Sequence, residues 1–309
     1  YDPVPAILDS SERNYIWGAQ GNMWSEYLNN PAKLEYMLFP RISALSEVLW
    51  TEPGRKDWTN FVQRLPLLMK RYEQWHVHYS RAYYDLQPSI VPLPNDGIGF
   101  KLESRLSDVR IRYGWDSIAL QTYRQPIRLR QSGTCYARVE KNGQAVSGWL
   151  KQSFSLNKAT GKKVTLLREP NKSYSLGGAL TLVDGIQNKL GMMKSSQFLG
   201  FNGRDLEATI DLGKRTQIRE IILHSFDQPG SWIYRPAAVE CWLSNNGRDF
   251  LPVKNIFSVS GSKNLSYRLT LSTHCRFVKL KATNIGLIPD GQPGAGNTGW
   301  LFVDEIEIN

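Results

Sequence analysis

The sequence predicts a multidomain protein in which a mainly helical N-terminal segment is followed by two antiparallel β-sandwiches. Apolar residues recur at helical spacing over the first 85 or so residues. Pro88, Pro92 and Pro94 then follow one another closely, which is typical of a linker. Beyond them, short alternating runs separated by Gly- and Asn-containing turns continue to the C-terminus. A chain of 309 residues is long enough for two or three domains, each with its own core.

The composition argues against several partners. Lysine and arginine number 38 against 28 acidic residues, which gives a net charge of +10. An excess of this kind can attract polyanions, but the cations are scattered and form no tight basic run, so we expect no nucleic-acid partner. No apolar run approaches the length of a membrane span, and no signal-peptide pattern opens the chain. The cysteines Cys135, Cys241 and Cys275 favour buried free thiols, although Cys241 and Cys275 could form a bridge.

A short segment near the N-terminus carries the first candidate site. The apolar run at residues 15–17 predicts a buried strand, which ends at Gly18 and leads to Trp24 and Glu26. A flat ring and a carboxylate are the groups that hold a sugar, because the ring packs on its C–H face and the carboxylate accepts from its hydroxyls. The alternative is that Trp24 is a core residue and Glu26 a solvated loop charge.

Two helical faces follow this segment. Asn30 and Pro31 are suited to the start of a helix, and Pro40 predicts a kink or break near Phe39. A second helix is predicted after the N-cap Asp57, and Pro66 should kink it. Its apolar face contains Phe61, Leu65, Leu68, Tyr72, Trp75 and Tyr79. His76 and His78 would point to different sides of this helix, so a shared metal is not expected.

Residues 18–50 closely resemble the end of the catalytic barrel of family-20 glycoside hydrolases, the β-N-acetylhexosaminidases. In that family, the last barrel strand brings a tryptophan and, two residues later, a glutamate to the terminal-sugar pocket, at positions that match Trp24 and Glu26. The resemblance implies that residues 1–85 are the C-terminal remnant of a (β/α)8 barrel. Such a barrel takes about 250 residues. The apolar helix faces would therefore be covered by barrel supplied elsewhere, by this chain or by a dimer mate, and self-association through them is an alternative.

The same resemblance implies the chemistry of the parent protein. Family-20 enzymes use the acetamido carbonyl of the substrate as nucleophile, with an aspartate to orient it and an adjacent glutamate as general acid, and they release terminal N-acetylated hexosamines from glycans. The one Asp-Glu step in this chain, Asp304-Glu305, lies in a predicted sandwich strand. We therefore assign no catalytic residue, and we expect this chain alone to be inactive. The family also implies a periplasmic, outer-membrane-associated or secreted location.

Residues 86–168 predict a small sandwich that resembles the immunoglobulin-like domain after the barrel in many bacterial hexosaminidases, the chitobiase C-terminal type. Strands are predicted at residues 109–113, 127–130, 135–139 and 164–167, with turns that include Asn142-Gly143. The first hairpin departs from the pattern, because Gly114-Trp115-Asp116 replaces the usual Asp-Gly turn. We interpret this domain as a structural spacer.

Residues 169–309 resemble a discoidin-like jelly roll, the coagulation factor type C module. The resemblance is carried by residues 205–213, 242–247 and 301–306. Strands are predicted at residues 208–212, 218–225, 239–244, 277–282 and 301–308, with a turn at Gly213. Discoidin-like units often bind glycans through aromatic loops, and the loop aromatics available here are Trp232, Tyr234 and Trp300. A second hypothesis is therefore a non-catalytic carbohydrate-binding module, and the alternative for these three rings is packing under a loop.

The resemblance also suggests one metal. Related jelly rolls hold calcium with an aspartate in an Asp-Gly turn and a glutamate near the C-terminus, and Asp184 and Glu305 match these positions. Calcium prefers oxygen ligands of this kind. The residues after Gly185 lack the usual threonine and include Lys189. No cofactor is expected to be required, and a structural calcium is the one ion that the pattern suggests.

Overall fold

The computed structural model describes residues 2–25, 28–94 and 97–309. The chain divides into two compact units, one ending at Tyr84 and one running from Asp85 to Asn309. Helices make up most of the regular structure of the first unit, and strands make up most of that of the second. The protein is therefore mostly β-structure with a few helices at its N-terminus. Within the described ranges, no helix combines the length and the apolar character needed to cross a bilayer.

The first unit contains four α-helices in its described part: α1 (Ser10–Arg13), α2 (Pro31–Leu38), α3 (Arg41–Trp50) and α4 (Trp58–Gln74). The predicted caps are confirmed, because Asn30 accepts the N–H of Lys33 at 2.8 Å and Asp57 accepts that of Asn60 at 3.1 Å. Helices α2 and α3 are separated at Phe39 and Pro40, as the proline predicted.

The apolar face of α4 is shorter than predicted. Phe61, Leu65, Met69 and Tyr72 are buried, whereas Trp75 is 64% exposed. The helix ends at Gln74, and His76 has a φ of 55° in the left-handed region, which a continuing α-helix does not contain. The prediction of a helical face that continues to Tyr79 is therefore wrong, and His76 and His78 lie beyond the helix.

The second unit contains sixteen strands in three antiparallel sheets among its described residues. The first eight are β1 (Gln87–Leu93), β2 (Gly97–Glu103), β3 (Arg110–Gly114), β4 (Gln121–Thr122), β5 (Ile127–Arg128), β6 (Gly133–Lys141), β7 (Gln144–Ala145) and β8 (Leu150–Phe154). The remaining eight are β9 (Lys163–Leu166), β10 (Leu199–Asn202), β11 (Leu206–Phe226), β12 (Ala238–Ser244), β13 (Leu251–Pro252), β14 (Ser258–Ser260), β15 (Asn264–Thr283) and β16 (Trp300–Ile308).

Two small sheets pack face to face. One has the order β1-β2-β5, and the other has the order β4-β3-β6-β7 with β8 also paired to β6. Phe100 of the first sheet meets Phe154 of the second edge to face, with ring centroids 5.1 Å apart. The predicted Asn142-Gly143 turn joins β6 to β7, and both residues have positive φ, at 51° and 78°, as a two-residue hairpin requires.

The largest sheet has eight strands, in the order β10-β16-β11-β15-β12-β13, with β14 on β15 and β9 on β11. Strand β11 spans 21 residues and covers both of the strands predicted at residues 208–212 and 218–225. The predicted turn at Gly213 is wrong: the register of β11 against β15 shifts between Asp211 and Thr216, and Gly213 has a φ of 83°. A glycine in this conformation permits an irregularity within the strand without reversing the chain.

Strand β9 joins a different sheet from the one predicted. Residues 164–167 were expected to close the smaller sandwich, but β9 pairs with β11, with Ile210 opposite Val164. The side chains of Val164 and Leu166 pack against the core of the larger sheet. The predicted boundary at residue 168 therefore falls after a strand that belongs to the larger sheet.

The three cysteines are free and buried, as predicted. Burial raises the pKa of the thiols of Cys135 and Cys275 to about 11 and that of Cys241 to about 12. Because the thiolate is the reactive form, these residues act as small core residues.

We predict that the ion pair between Asp211 and Arg276 makes stability depend on pH. Two hydrogen bonds from Arg276, of 2.8 and 2.9 Å, hold the pKa of the Asp211 carboxyl below its usual range. The pair therefore stabilises the fold above the unfolded pKa of about 3.9, and this contribution is lost as pH falls through the lower folded value. Asp211→Asn should flatten the fall of Tm measured by circular dichroism from about pH 5 to about pH 2. Arg276→Gln should have the same effect, and an unchanged slope in both variants would contradict the prediction.

Candidate functional site

The segment that leads to Trp24 is not a strand in this structure. Tyr15 is 82% exposed and Trp17 is 94% exposed, and residues 15–17 form no part of any sheet. The prediction of a buried strand here is wrong for this chain. In the described part of the chain, the first strand is β1, in the other unit, so the segment has no neighbour with which to form a backbone ladder.

Trp24 is exposed, whereas Glu26 lies outside the described residues. The indole of Trp24 is 69% exposed, which excludes a core role in this chain. An exposed indole offers a face on which the C–H side of a sugar can pack. The structure therefore places one of the two predicted pocket residues and does not test their pairing.

The three loop aromatics of the second unit meet at one place. Trp300 donates its backbone N–H to the carbonyl of Trp232 at 2.8 Å, and Tyr234 donates to the carbonyl of Trp300 at 2.9 Å. A short 3₁₀ turn, Pro229–Ser231, precedes Trp232, which has a φ of 61°. This left-handed conformation is uncommon for a large residue and fixes the direction in which the indole leaves the loop.

These aromatics differ in what they offer to a ligand. Trp232 is 40% exposed, and its indole lies against Gly294, where an added Cβ would come within 2.4 Å of the indole nitrogen. Tyr234 is buried and donates its hydroxyl to the carbonyl of Pro293 at 2.8 Å. Trp300 is half-buried and meets the rings of Tyr174 and Phe302 edge to face. Trp232 is therefore the member of this group best placed to contact a sugar, whereas Tyr234 hydrogen-bonds to Pro293, the residue before Gly294.

A buried cluster of large apolar side chains supports this loop end. It consists of Phe198, Phe226, Ile233 and Phe302, with Tyr174, Met192 and Trp300 packed against it. Ile233 lies between Trp232 and Tyr234 in the chain and is 1% exposed, so it anchors the loop to the sheet. The backbone that carries Trp232 is thus held by packing as well as by hydrogen bonds.

A bulge in β16 places two consecutive carboxylates in the interior. Leu223 of β11 pairs with Ile306, but Ser225 pairs with Val303, so Asp304 and Glu305 together occupy the place of one residue. Bulges of this kind redirect side chains and recur at sites. Asp304 is 2% exposed and Glu305 is 1% exposed, so this Asp-Glu step cannot reach a substrate and is not a catalytic pair.

The structure brings Asp184 and Glu305 together, as the calcium hypothesis requires. Gly185 donates its N–H to Glu305 Oε2 at 3.2 Å, and Ile186 donates to Asp184 Oδ1 at 2.8 Å. Burial raises the pKa of both carboxyls well above the usual range, and repulsion between neighbouring carboxylates adds to it. Neither forms an ion pair with a described lysine, arginine or histidine. A cation would relieve this repulsion.

Two other observations concern the buried carboxylates of this region. No group of three or more His, Cys, Asp or Glu side chains within the described ranges is arranged to hold a metal ion. A cation between Asp184 and Glu305 would therefore need backbone carbonyls for its remaining ligands, which suits calcium better than a transition metal. Burial also raises the pKa of Asp304 to about 7, and this carboxyl accepts the N–H of Asn188 at 2.6 Å.

A histidine network beside the bulge was missed by the sequence analysis. His224 Nε2 lies 3.1 Å from Glu307 Oε1, and its Nδ1 lies 2.9 Å from Gln187 and 3.0 Å from Ser266. The hydrogen bond between Glu307 and His224 lowers the pKa of the Glu307 carboxyl. The alternation of β16 could have placed Glu307 on a face, but nothing in the sequence links it to His224, 83 residues earlier.

Comparison with known families supports the resemblance of the N-terminal segment to family-20 glycoside hydrolases. Residues 1–53 match the model of the glycosyl hydrolase family 20 catalytic domain. The resemblance to this family is thus confirmed for this part of the chain.

Curated relatives point to the same family. A β-hexosaminidase of Porphyromonas gingivalis is 26% identical over 162 residues, which cover 48% of this chain and 20% of that protein. A β-N-acetylhexosaminidase of Cellulomonas fimi is 35% identical over 81 residues, 25% of this chain and 16% of that protein. β-Hexosaminidase B of Pseudoalteromonas piscicida is 54% identical over 33 residues, 11% of this chain and 4% of that protein. The matches span a fifth or less of the length of these relatives.

Among solved structures, similarity is found to the lectin domain of lectinolysin complexed with Lewis B antigen, with a TM-score of 0.36 and 15% identity over 50% of this chain and 95% of that one. A Streptococcus pneumoniae fucose binding module is 19% identical, with a TM-score of 0.33 over 50% of this chain and 94% of that one. At these TM-scores, the likeness assigns neither a fold nor a ligand to this chain.

Proposed function

We propose that this chain is the C-terminal part of an exo-β-N-acetylhexosaminidase, with a barrel remnant, an immunoglobulin-like domain and a discoidin-like domain in that order. The match of residues 1–53 to the family-20 catalytic domain carries the proposal. The parent enzyme would remove terminal N-acetylated hexosamines from glycans by substrate-assisted, retaining hydrolysis. The chain alone would be inactive, because its single Asp-Glu step is buried in β16.

In this proposal, Trp24 and Glu26 hold the terminal sugar. The indole would pack on the C–H face of the ring, and the carboxylate would accept hydrogen bonds from hydroxyls at the non-reducing end. Contacts that close the pocket beyond this sugar favour an exo-acting enzyme, because a longer glycan could not continue past them. The exposure of Trp24 fits this role, since barrel elements supplied by the parent enzyme would complete the pocket around it.

Kinetics of the complete hydrolase test the proposed pocket. Glu26→Gln should lower kcat/KM for an aryl N-acetylglucosaminide roughly ten- to hundredfold, because hydrogen bonds to a charged acceptor would be replaced by weaker ones. Trp24→Ala should also lower kcat/KM, and Trp24→Phe should recover part of the loss because it restores an aromatic face. Wild-type kcat/KM in both Glu26→Gln and Trp24→Ala would refute this assignment. Turnover by the present chain alone would refute its proposed inactivity.

A second candidate function is carbohydrate binding by the larger sandwich, as an accessory module of a secreted or envelope protein. The observation that favours it is the partly exposed indole of Trp232, held on Gly294 above a buried aromatic cluster. A rigid ring with one open face suits sugar stacking, because it loses little conformational freedom on binding.

Calorimetric titration of the full chain with an N-acetylglucosamine oligosaccharide tests this candidate. We expect measurable binding that Trp232→Ala abolishes. Trp50→Ala is the matched control, because Trp50 is 90% exposed and belongs to the first unit. Absence of binding by the wild-type chain, or equal affinity of the Trp232→Ala variant, would exclude Trp232 as the binding residue for this sugar.

We also propose a structural calcium between Asp184 and Glu305. The ion would offset the repulsion between two buried carboxylates and would join the Asp-Gly turn to β16. A ligand that binds only the folded state stabilises it by RT ln(1 + [L]/Kd), so Tm rises with the logarithm of the ligand's excess over Kd. Calcium should therefore raise Tm, and a chelator should reverse the change, whereas Glu305→Gln should have a Tm that calcium does not alter. Equal Tm values of the wild-type chain with calcium and with chelator would contradict the proposal.

A further inference from the structure

One face of the five-stranded sheet carries an excess of positive charge. Strands β3 and β6 turn alternate side chains into the core, where Ile111, Ala137 and Val139 pack. The residues between them face outward, together with one residue of β8. This basic face consists of Arg110, Arg112, Tyr136, Arg138, Glu140 and Lys151, with Trp149 directly before β8. It therefore has four cations against one carboxylate.

The single carboxylate is shared by two of the four cations. Glu140 Oε1 accepts from Nε and Nη2 of Arg138 at 3.0 and 2.6 Å, and Glu140 Oε2 lies 4.0 Å from Arg112 Nη1. Arg110 and Lys151 form no ion pair with any residue that the structure describes. Both are exposed, so their charges are available to a partner.

Three cations of the larger sheet are paired with carboxylates. On its outer face Arg276 pairs with Asp211 at 2.8 Å, Lys279 with Glu207 at 3.9 Å, and Lys281 with Asp205 at 3.3 Å. Each of these cations is thus balanced by a carboxylate on the same sheet or next to it. The net charge of +10 for the whole chain does not by itself produce a face such as the basic face of the five-stranded sheet.

Two aromatic rings hold cations on the basic face. The guanidinium of Arg138 lies 4.8 Å from the ring centre of Trp149, and Lys151 Nζ lies 5.7 Å from that of Tyr136. The two rings meet edge to face at 6.2 Å. Cation–π contacts restrict these long side chains, so less freedom is lost when an anion binds. A cation therefore lies over one face of each ring.

We infer that the basic face binds an acidic polysaccharide through its sulfate or carboxylate groups. Guanidinium groups pair with such anions in a bidentate manner. The cations lie on three neighbouring strands whose backbones are about 5 Å apart. They therefore spread over a surface and match repeated charges better than one small anion. The choice of a glycan among polyanions rests on the proposed function, and the face lies on the domain otherwise interpreted as a spacer.

Binding of a heparin-derived octasaccharide to the full chain tests this inference at low and at moderate salt. The double variant Arg110→Gln, Lys151→Gln should bind about three- to thirtyfold more weakly than the wild type, with a shallower salt dependence. The matched control is Lys279→Gln, Lys281→Gln, which has the same net charge but alters the larger sheet. It should retain the wild-type affinity, and Tm measurements should show that both variants are folded.

Three results would overturn the inference. They are no binding of the octasaccharide at low salt, equal losses in the two double variants, and tighter binding of a DNA oligonucleotide of equal charge than of the octasaccharide. Equal losses would mean that only the overall charge attracts the probe. The readout is binding and not turnover, so failure of the hydrolase proposal would appear in the kinetics of the aryl substrate and not here.

Discussion

Backbone pairing between strands is the constraint on which the second unit of this chain depends. Strand β11 pairs with β9, β15 and β16, and the buried core of the larger sandwich forms around these contacts. Residues 15–17 have the composition of a buried strand but no partner within the described part of the chain, and their side chains are exposed. A strand is stable only when neighbours satisfy its N–H and C=O groups, so the same kind of apolar run has opposite outcomes in the two units.

Strand pairing also determines where the candidate sites of the second unit lie. In the larger sheet, the bulge of β16 turns Asp304 and Glu305 inward, and the loop between β11 and β12 presents Trp232 on a buried cluster. In the five-stranded sheet, regular alternation without a bulge brings cations of three strands to one outer face. The hexosaminidase pocket, by contrast, would need barrel strands around Trp24.

Local signals predicted local features well. The caps at Asn30 and Asp57, the break at Pro40 and the Asn142-Gly143 hairpin all follow from the stereochemistry of a few adjacent residues. Features that depend on distant partners were not predictable in this way. The assignment of β9 to β11, the burial of Tyr234 and the contact of His224 with Glu307 join residues 40 or more positions apart, or depend on a loop folding over a side chain. The turn predicted at Gly213 failed because a glycine can equally serve a bulge.

Amide hydrogen exchange at residues 15–17 tests the central claim most directly, because it reports whether their N–H groups are paired. The comparison is between this chain and the complete hydrolase that the proposed function requires. In this chain the amides should exchange rapidly, since the residues are exposed and lie in no sheet. In the complete hydrolase they should be strongly protected, because barrel strands would pair with them on both sides. Rapid exchange in both proteins would contradict the assignment of this segment to the last barrel strand.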